Sequence, residues 1–140
     1  MVLRIMTIAD YEQVFSLWNT TAGIGLRTLD DSESGIRRFL ERNPRTCFVA
    51  EDEGVVLGVI LSGHDGRRGF IYHTAVHAGY RRRGLGTALA AAAENALQEE
   101  GIHKIGLIAF RNNESGNRFW EKAGFSVRED LIYRNKSLTD

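Results

Sequence analysis

Apolar positions change their period repeatedly along this chain, and each change marks an element. Val2 to Ile8 reads as a short strand. Asp10 stands as an N-cap with Gln13 three residues on, as in a capping box. Val14, Leu17 and Trp18 then follow at helical spacing to about Thr20. Residues 22–31 hold Gly23 and Gly25 without a clear period and read as a loop. Its Ile24, Leu26 and Leu29 are apolar for a solvated connection, and two readings stay open. They pack beneath the loop, or they line a substrate pocket. Ser32 with Glu33 opens a second helix, with Ile36, Phe39 and Leu40 on one face. It ends near Asn43-Pro44, because a residue before proline avoids the helical region.

The period then shortens. Residues 46–51, 55–61 and 70–76 read as three strands joined by turns at 52–54 and 65–69, an antiparallel meander. The middle strand does not alternate, so both its faces should be buried. From Leu85 the spacing is helical again: Leu85, Ala88, Leu89, Ala92, Ala93, Ala96 and Leu97 form one stripe, closed by Gly101. Residues 104–110 form the next strand. It follows 70–76 through a helix, which makes the two parallel. A helix from about Ser115 to Ala123 carries Phe119 and Trp120, with Gly124 as its C-cap. Residues 125–127 and 131–133 read as closing strands. The order predicts one mixed α/β domain over residues 1–140, with a central sheet and helices packed on it.

Composition narrows the function classes. The chain has 140 residues, with 18 Lys and Arg against 18 Asp and Glu, a formal net charge of zero. A nucleic-acid-backbone binder carries a basic excess, so no such partner is expected. Cys47 is the single cysteine, which excludes an internal disulfide and fits a reducing compartment. No apolar run reaches the roughly 20 residues of a membrane span. The N-terminus lacks a charged-then-apolar signal pattern. The expectation is a cytoplasmic protein with no membrane partner.

One stretch carries chemistry. The strand 70–76 runs into Val76-His77-Ala78-Gly79-Tyr80-Arg81-Arg82-Arg83-Gly84-Leu85-Gly86-Thr87, and a helix begins. A helix N-terminus offers free N–H groups and a positive dipole end, and glycines there let a ligand approach the backbone. Such an arrangement is how proteins build a phosphate site, and a phosphate ligand is the expectation here, set against a plain strand-to-helix turn. A tight turn needs one or two residues, and this loop holds seven small or polar ones before the helix. The dinucleotide fingerprint is a poor match, because Leu89 occupies its third glycine position and an antiparallel meander precedes it.

Arg81-x-x-Gly84-x-Gly86 between a strand and a long helix resembles the acyl-CoA-binding signature of the GCN5-related N-acetyltransferase (GNAT) family. A second element agrees: Asn113-x-x-Gly116-x-x-Phe119-Trp120-Glu121-Lys122-x-Gly124-Phe125 resembles that family's later motif. The Asp65 to Gly69 hairpin is similar to that of small single-domain bacterial members. The resemblance covers nearly the whole chain. It implies a GNAT-like fold with a mixed, mostly antiparallel sheet of six to seven strands and helices on both faces. It implies acetyl-CoA as cosubstrate, no metal, and direct attack of a primary amine of a small molecule or peptide on the thioester. A non-catalytic acyl-CoA-binding module is the alternative. An exposed edge or pocket would allow a homodimer.

The resemblance also implies a splay between the strands 70–76 and 104–110 that admits pantetheine. The N–H of Val76 would then polarise the thioester carbonyl. The cosubstrate would be held by Val76, His77, Ala78, Arg81, Arg82, Arg83, Gly84, Leu85, Gly86 and Thr87, with Asn113 and Trp120 from the second motif. Three consecutive arginines cannot all face one ligand, so the backbone carries the cradle. Many relatives have a tyrosine acid where this chain has Trp120. An indole N–H is not a usable acid, so Trp120 reads as packing, and Tyr133 or unassisted thiolate departure takes its place. For the base, Tyr72 holds the position of some relatives' carboxylate. His73 has a suitable intrinsic pKa, and Glu51 lies on the neighbouring strand. Strand alternation puts Tyr72 and His73 on opposite faces. His64, His77 and His103 have no metal-ligand spacing.

Overall fold

The computed structural model describes residues 1–26 and 28–139. Among these the elements run β1 (Val2–Ile5), α1 (Tyr11–Asn19), α2 (Glu33–Arg42), β2 (Phe48–Asp52), β3 (Val55–His64), β4 (Gly69–Val76), α3 (Leu85–Glu99), β5 (Ile105–Leu107) and α4 (Glu114–Lys122). The five strands form one sheet in the order β1-β2-β3-β4-β5. The first four pair antiparallel and β4 pairs parallel with β5. The meander and the parallel crossover are thus as the sequence predicts.

Helices cover both faces. α1 and α2 close one side over Val14, Trp18, Ile36, Val49, Val59 and Leu61. α3 closes the other over Ile60, Ile71, Leu89 and Ala93, where Phe119, Trp120 and Phe125 also pack. β3 lies between them and is buried from Val56 to Gly63, as its unbroken apolar run requires. Its one hydroxyl is satisfied: Ser62 donates to the Thr46 carbonyl, and Thr46 donates to that of Ser62 at 2.7 Å. Among the described residues no helix is long and apolar enough to cross a membrane.

Several boundaries differ from expectation. Asp10 makes no side-chain cap to α1; it lies in a 3-10 turn (Ile8–Asp10), where its carboxylate accepts the N-cap Thr7 N–H at 2.9 Å as in a capping box, and it also accepts from two Arg4 nitrogens at 2.8 and 2.9 Å. Gln13, freed from a capping role, reaches across to β3, where its Oε1 accepts the Val56 N–H at 3.0 Å. The α3 stripe is rotated: Leu89, Ala90, Ala93 and Leu97 are buried and Ala88 is exposed.

The expected closing strands 125–127 and 131–133 are absent, so the sheet of the described residues has five strands instead of six or seven. Val127 is 84% and Ile132 78% exposed. Polar runs at 128–130 and 134–137 interrupt the apolar content, and β5 offers a ladder of only three residues. Little apolar area is available to fix a strand there.

Candidate active site

The site is built by an irregularity in β4. Ile71 pairs with Ser62 and Thr74 pairs with Ile60, so two residues of β4, Tyr72 and His73, stand opposite Leu61 alone. This is a β-bulge, which bends a strand and increases its twist. Pairing with β5 ends at the same point: Gly69, Phe70 and Ile71 pair with Ile105, Gly106 and Leu107, and nothing beyond them does. The two strands therefore part where β4 bulges.

The bulge also reverses which amides face the gap. Before it, the Gly69 N–H donates to the Lys104 carbonyl on the β5 side. After it, the His77 N–H donates to the Leu57 carbonyl of β3 at 2.8 Å. By alternation of the antiparallel ladder, Val76 turns its N–H and C=O away from β3, toward the side β5 has left. Its carbonyl accepts the Arg81 Nε at 3.2 Å there. The expected donor at Val76 thus points into the gap.

Beyond Val76 the chain makes a 3-10 turn (Ala78–Tyr80), in which His77 Nδ1 accepts the Gly79 N–H at 3.0 Å. The α3 helix begins after Gly84, whose φ of +79° is left-handed and suits only glycine without strain. The first closing bond of α3 runs from the Ala88 N–H to the Gly84 carbonyl. Among the described residues no acceptor meets the amides from Arg82 to Thr87. A Cβ at Gly84 would meet nothing within 4 Å. A row of unpaired donors at a helix N-terminus, with open space beside its glycine, fits the diphosphate of coenzyme A.

The arginines diverge, as their spacing implies. Arg81 turns back onto β4, Arg83 lies over the Tyr80 ring at 5.0 Å, and Arg82 is exposed at a φ of 63°. Gly86 has a packing role that spacing does not reveal: a Cβ there would stand 3.1 Å from the Phe119 ring. Asn113 Oδ1 accepts the Gly116 N–H and caps α4, and its amide nitrogen crowds Gly23. Trp120 stacks edgewise between Phe119 and Phe125 in the α3-side core.

On the opposite face of the sheet, the bulge overturns the expected alternation. Two residues opposing one place Tyr72 and His73 on the same side, that of α1 and α2. Tyr72 meets Phe39 of α2 at 5.5 Å and Phe70 at 4.9 Å. His73 meets Trp18 of α1 at 5.0 Å, and its Nε2 lies 3.0 Å from Asp31 Oδ1. Burial, with the nearby Tyr133 and Asp30, pushes the Tyr72 hydroxyl above its usual pKa. Tyr72 and His73 are therefore brought to one face, while Tyr133 is 66% exposed. Glu51 does not join them; its carboxylate is bonded to Arg4 at 2.8 Å at the far edge of the sheet, which holds it below the usual carboxylate range. Among the described residues no three His, Cys, Asp or Glu side chains come together as a metal site.

The loop before α2 closes over this face. Ile24 and Leu26 pack against the core, as the first reading of the loop expects, while Leu29 is 59% exposed. A Cβ at Gly25 would stand 2.9 Å from the Phe110 ring. The loop thus leans on the segment that follows β5. Sequence reasoning passed over Asp31 and Phe110, because a loop carboxylate beside an N-cap serine and a strand-end phenylalanine carry no motif.

A splayed parallel pair, a donor-lined helix start after the central strand, and helices on both faces define an acyl-CoA-dependent transferase architecture. The family model of the Acetyltransferase (GNAT) family matches residues 11–125, and the chain belongs to that family. It is 34% identical over 140 residues to the acetyltransferase SG1711 of Sodalis glossinidius, covering all of this chain and 97% of that protein. Among solved structures, the PaiA N-acetyltransferase of Thermoplasma acidophilum in complex with coenzyme A superposes with a TM-score of 0.78. It is 20% identical, with 91% of this chain and 90% of that one covered. An aminoglycoside acetyltransferase from an uncultured soil metagenomic sample, in complex with sisomicin, gives a TM-score of 0.75 at 17% identity, with 99% and 96% covered. The chain is an acetyltransferase, and its family supports the binding of coenzyme A.

Proposed function

We propose that this acetyltransferase moves the acetyl group of acetyl-CoA to a primary amine of a small molecule or peptide, by direct attack in a ternary complex. The observation that carries the reading is the register of β4, whose bulge turns the Val76 amide away from β3 toward the side β5 has left. Neighbours of the same fold that hold coenzyme A or an aminoglycoside support both halves of it.

Acetyl-CoA supplies an activated acetyl thioester. The protein's own groups do the rest. Amides from Arg82 to Thr87, with Gly84 leaving room, hold the diphosphate, and Arg82 and the Arg81 and Arg83 side chains add positive charge nearby. His77 and Ala78 line the pantetheine path. Leu85 and Gly86 fix the first turn of α3, while Asn113 and Trp120 act through α4, which packs behind it. The Val76 N–H donates to the thioester carbonyl and strengthens as negative charge develops there. His73 takes the proton that the acceptor ammonium must lose. Tyr72, held protonated by its surroundings, donates or relays, and Tyr133 is the second hydroxyl for the departing thiolate.

The test is thiol release from acetyl-CoA with a panel of polyamines, amino acids, aminoglycosides and peptides. Turnover with at least one amine, and a melting-temperature rise with coenzyme A, are expected. Tight coenzyme A binding with no turnover on any amine would overturn the catalytic reading.

A further inference from the structure

We infer that Asp31 is the positioning residue for proton removal: by accepting the Nε2–H of His73, it leaves Nδ1 as the atom that takes a proton from the acceptor amine. The inference rests on the N-acetyltransferase reading above.

Asp31 is held from several directions. The Tyr11 hydroxyl of α1 donates to its backbone carbonyl at 2.7 Å. Ser32, the next residue, caps α2 by accepting the Gly35 N–H at 3.1 Å and donates its own hydroxyl to the Leu29 carbonyl at 2.8 Å. A Cβ at Gly35 would meet the Asp30 carbonyl at 2.4 Å and that of Leu29 at 2.5 Å, so the loop can lie over α2 only because residue 35 is glycine. These contacts bring the carboxylate to 3.0 Å from the imidazole. An ionised carboxylate only accepts, so Nε2 carries the hydrogen, and the neutral ring keeps its lone pair on Nδ1. The pair is also oriented: 19% of the His73 side chain is exposed against 8% of Asp31. The imidazole, and not the carboxylate, is the member that meets a ligand.

The bulge makes this arrangement relevant to chemistry. In a regular strand Tyr72 and His73 would face opposite ways; here both face the α1 and α2 side, just upstream of the Val76 amide. Among the described residues, the groups around the imidazole are Asp31 and the Trp18 ring, with Tyr72 beside it on β4. One contact further stand Tyr11 of α1 against Asp31, and Asp30 near Tyr72. The step balances. An ammonium gives one proton to Nδ1, and the freed nitrogen pair forms the N–C bond as the C–S bond breaks with its electrons on sulfur. The nitrogen's second surplus proton ends on that sulfur, and His73 returns its proton to solvent.

The test compares wild type with Asp31→Asn and His73→Gln, using the best amine of the panel and a pH series. Asn retains shape and cannot hold the imidazolium by charge. We expect Asp31→Asn to lower kcat about ten- to a hundredfold, to leave the KM for acetyl-CoA within about twofold, and to move the acidic limb of kcat/KM to lower pH. His73→Gln should lose at least as much and lose that limb, and the double variant should be no worse than His73→Gln alone. An unmoved limb in Asp31→Asn, or near-wild-type kcat in His73→Gln, overturns the inference while amine acetylation stands. If wild type acetylates no amine, the parent reading fails and this one with it. Should Asp31→Asn not fold, Tyr11→Phe removes only the hydroxyl holding the Asp31 carbonyl. A smaller loss with the same limb shift supports the inference, and an unchanged profile overturns it.

Discussion

Replacing Gly84 separates the cost of its backbone from its part in ligand binding. Its φ of +79° lies in the left-handed region, where an L-residue costs about 1–2 kcal/mol. A Cβ there meets nothing within 4 Å, so no clash adds to that strain. Gly84→Ala and Gly84→Glu should therefore lose similar stability, about 1–2 kcal/mol, or roughly 3–8 °C in Tm for a domain of this size. Their affinities for coenzyme A should part. The Glu carboxylate would enter the space beside the unpaired amides, where a diphosphate is negative. Two unit charges about 5 Å apart at an effective dielectric constant near 20 repel by about 3 kcal/mol, which is more than a hundredfold in Kd. Titration calorimetry with coenzyme A, beside thermal melts of both variants, measures the two effects independently. Equal affinities in Gly84→Glu and Gly84→Ala would refute the placement of the diphosphate. A Glu variant far less stable than the Ala variant would refute the claim of open space.

Gly86 should behave differently from Gly84: alanine gains up to about 1 kcal/mol of helix propensity but forces its Cβ against Phe119, so Gly86→Ala should be more favourable by about 1 kcal/mol in a Phe119→Leu background. Additive stabilities in that double-mutant cycle would sink the packing account. Asp10 is pushed up by burial, but the Arg4 and Thr7 bonds outweigh this and hold it below its ordinary value. A depressed carboxyl contributes stability above its unfolded pKa of about 3.9 and loses it as pH falls through the folded value. Asp10→Asn should then cost about 1–3 kcal/mol at pH 6 and show a shallower acid loss in urea titrations; an unchanged slope would contradict this. Burial pushes the Cys47 thiol up to about 12, so a maleimide at pH 8 should label it only as fast as the chain unfolds, and rapid native-state labelling would disprove its burial.

What the sequence disclosed followed from local signals. The Ser32 cap, the Asn43-Pro44 stop and the glycine at 101 each depend on neighbours within a turn, and each marks its boundary as read. The capping box read at Asp10 and Gln13 is displaced by one turn: the Asp10 carboxylate accepts the Thr7 amide before it and the Arg4 guanidinium instead of an amide of α1. The closing strands failed for a related reason: Leu131-Ile132-Tyr133 has strand propensity, but propensity binds no edge by itself, and β5 provides three residues of ladder. The open helix start after Gly84, proposed above to hold the diphosphate, was legible because it is backbone geometry written in glycine. The His73–Asp31 pair was not, because its two members lie 42 residues apart and meet only through the packing of α1, α2 and the loop between them.

The β4 bulge links these observations. Its position depends on how two strands pair, and nothing in Phe70 to Val76 marks an extra residue. Yet one inserted residue has three consequences. It ends the ladder to β5, because a twisted, bent strand cannot keep a parallel neighbour in register. It exchanges which amides face the gap, so that Val76 and not Ala75 is left without a β3 partner. It brings Tyr72 and His73 to one face, beside the loop that carries Asp31. Removing the bulge would pair Val76 with its neighbours and divide the two side chains between the faces. In the proposed mechanism, cosubstrate access, carbonyl polarisation and proton removal are therefore not three separate features that happen to adjoin. They share one cause in the register of β4 against β3, and a change that regularised that register would abolish them together while leaving the core on both sides of the sheet in place.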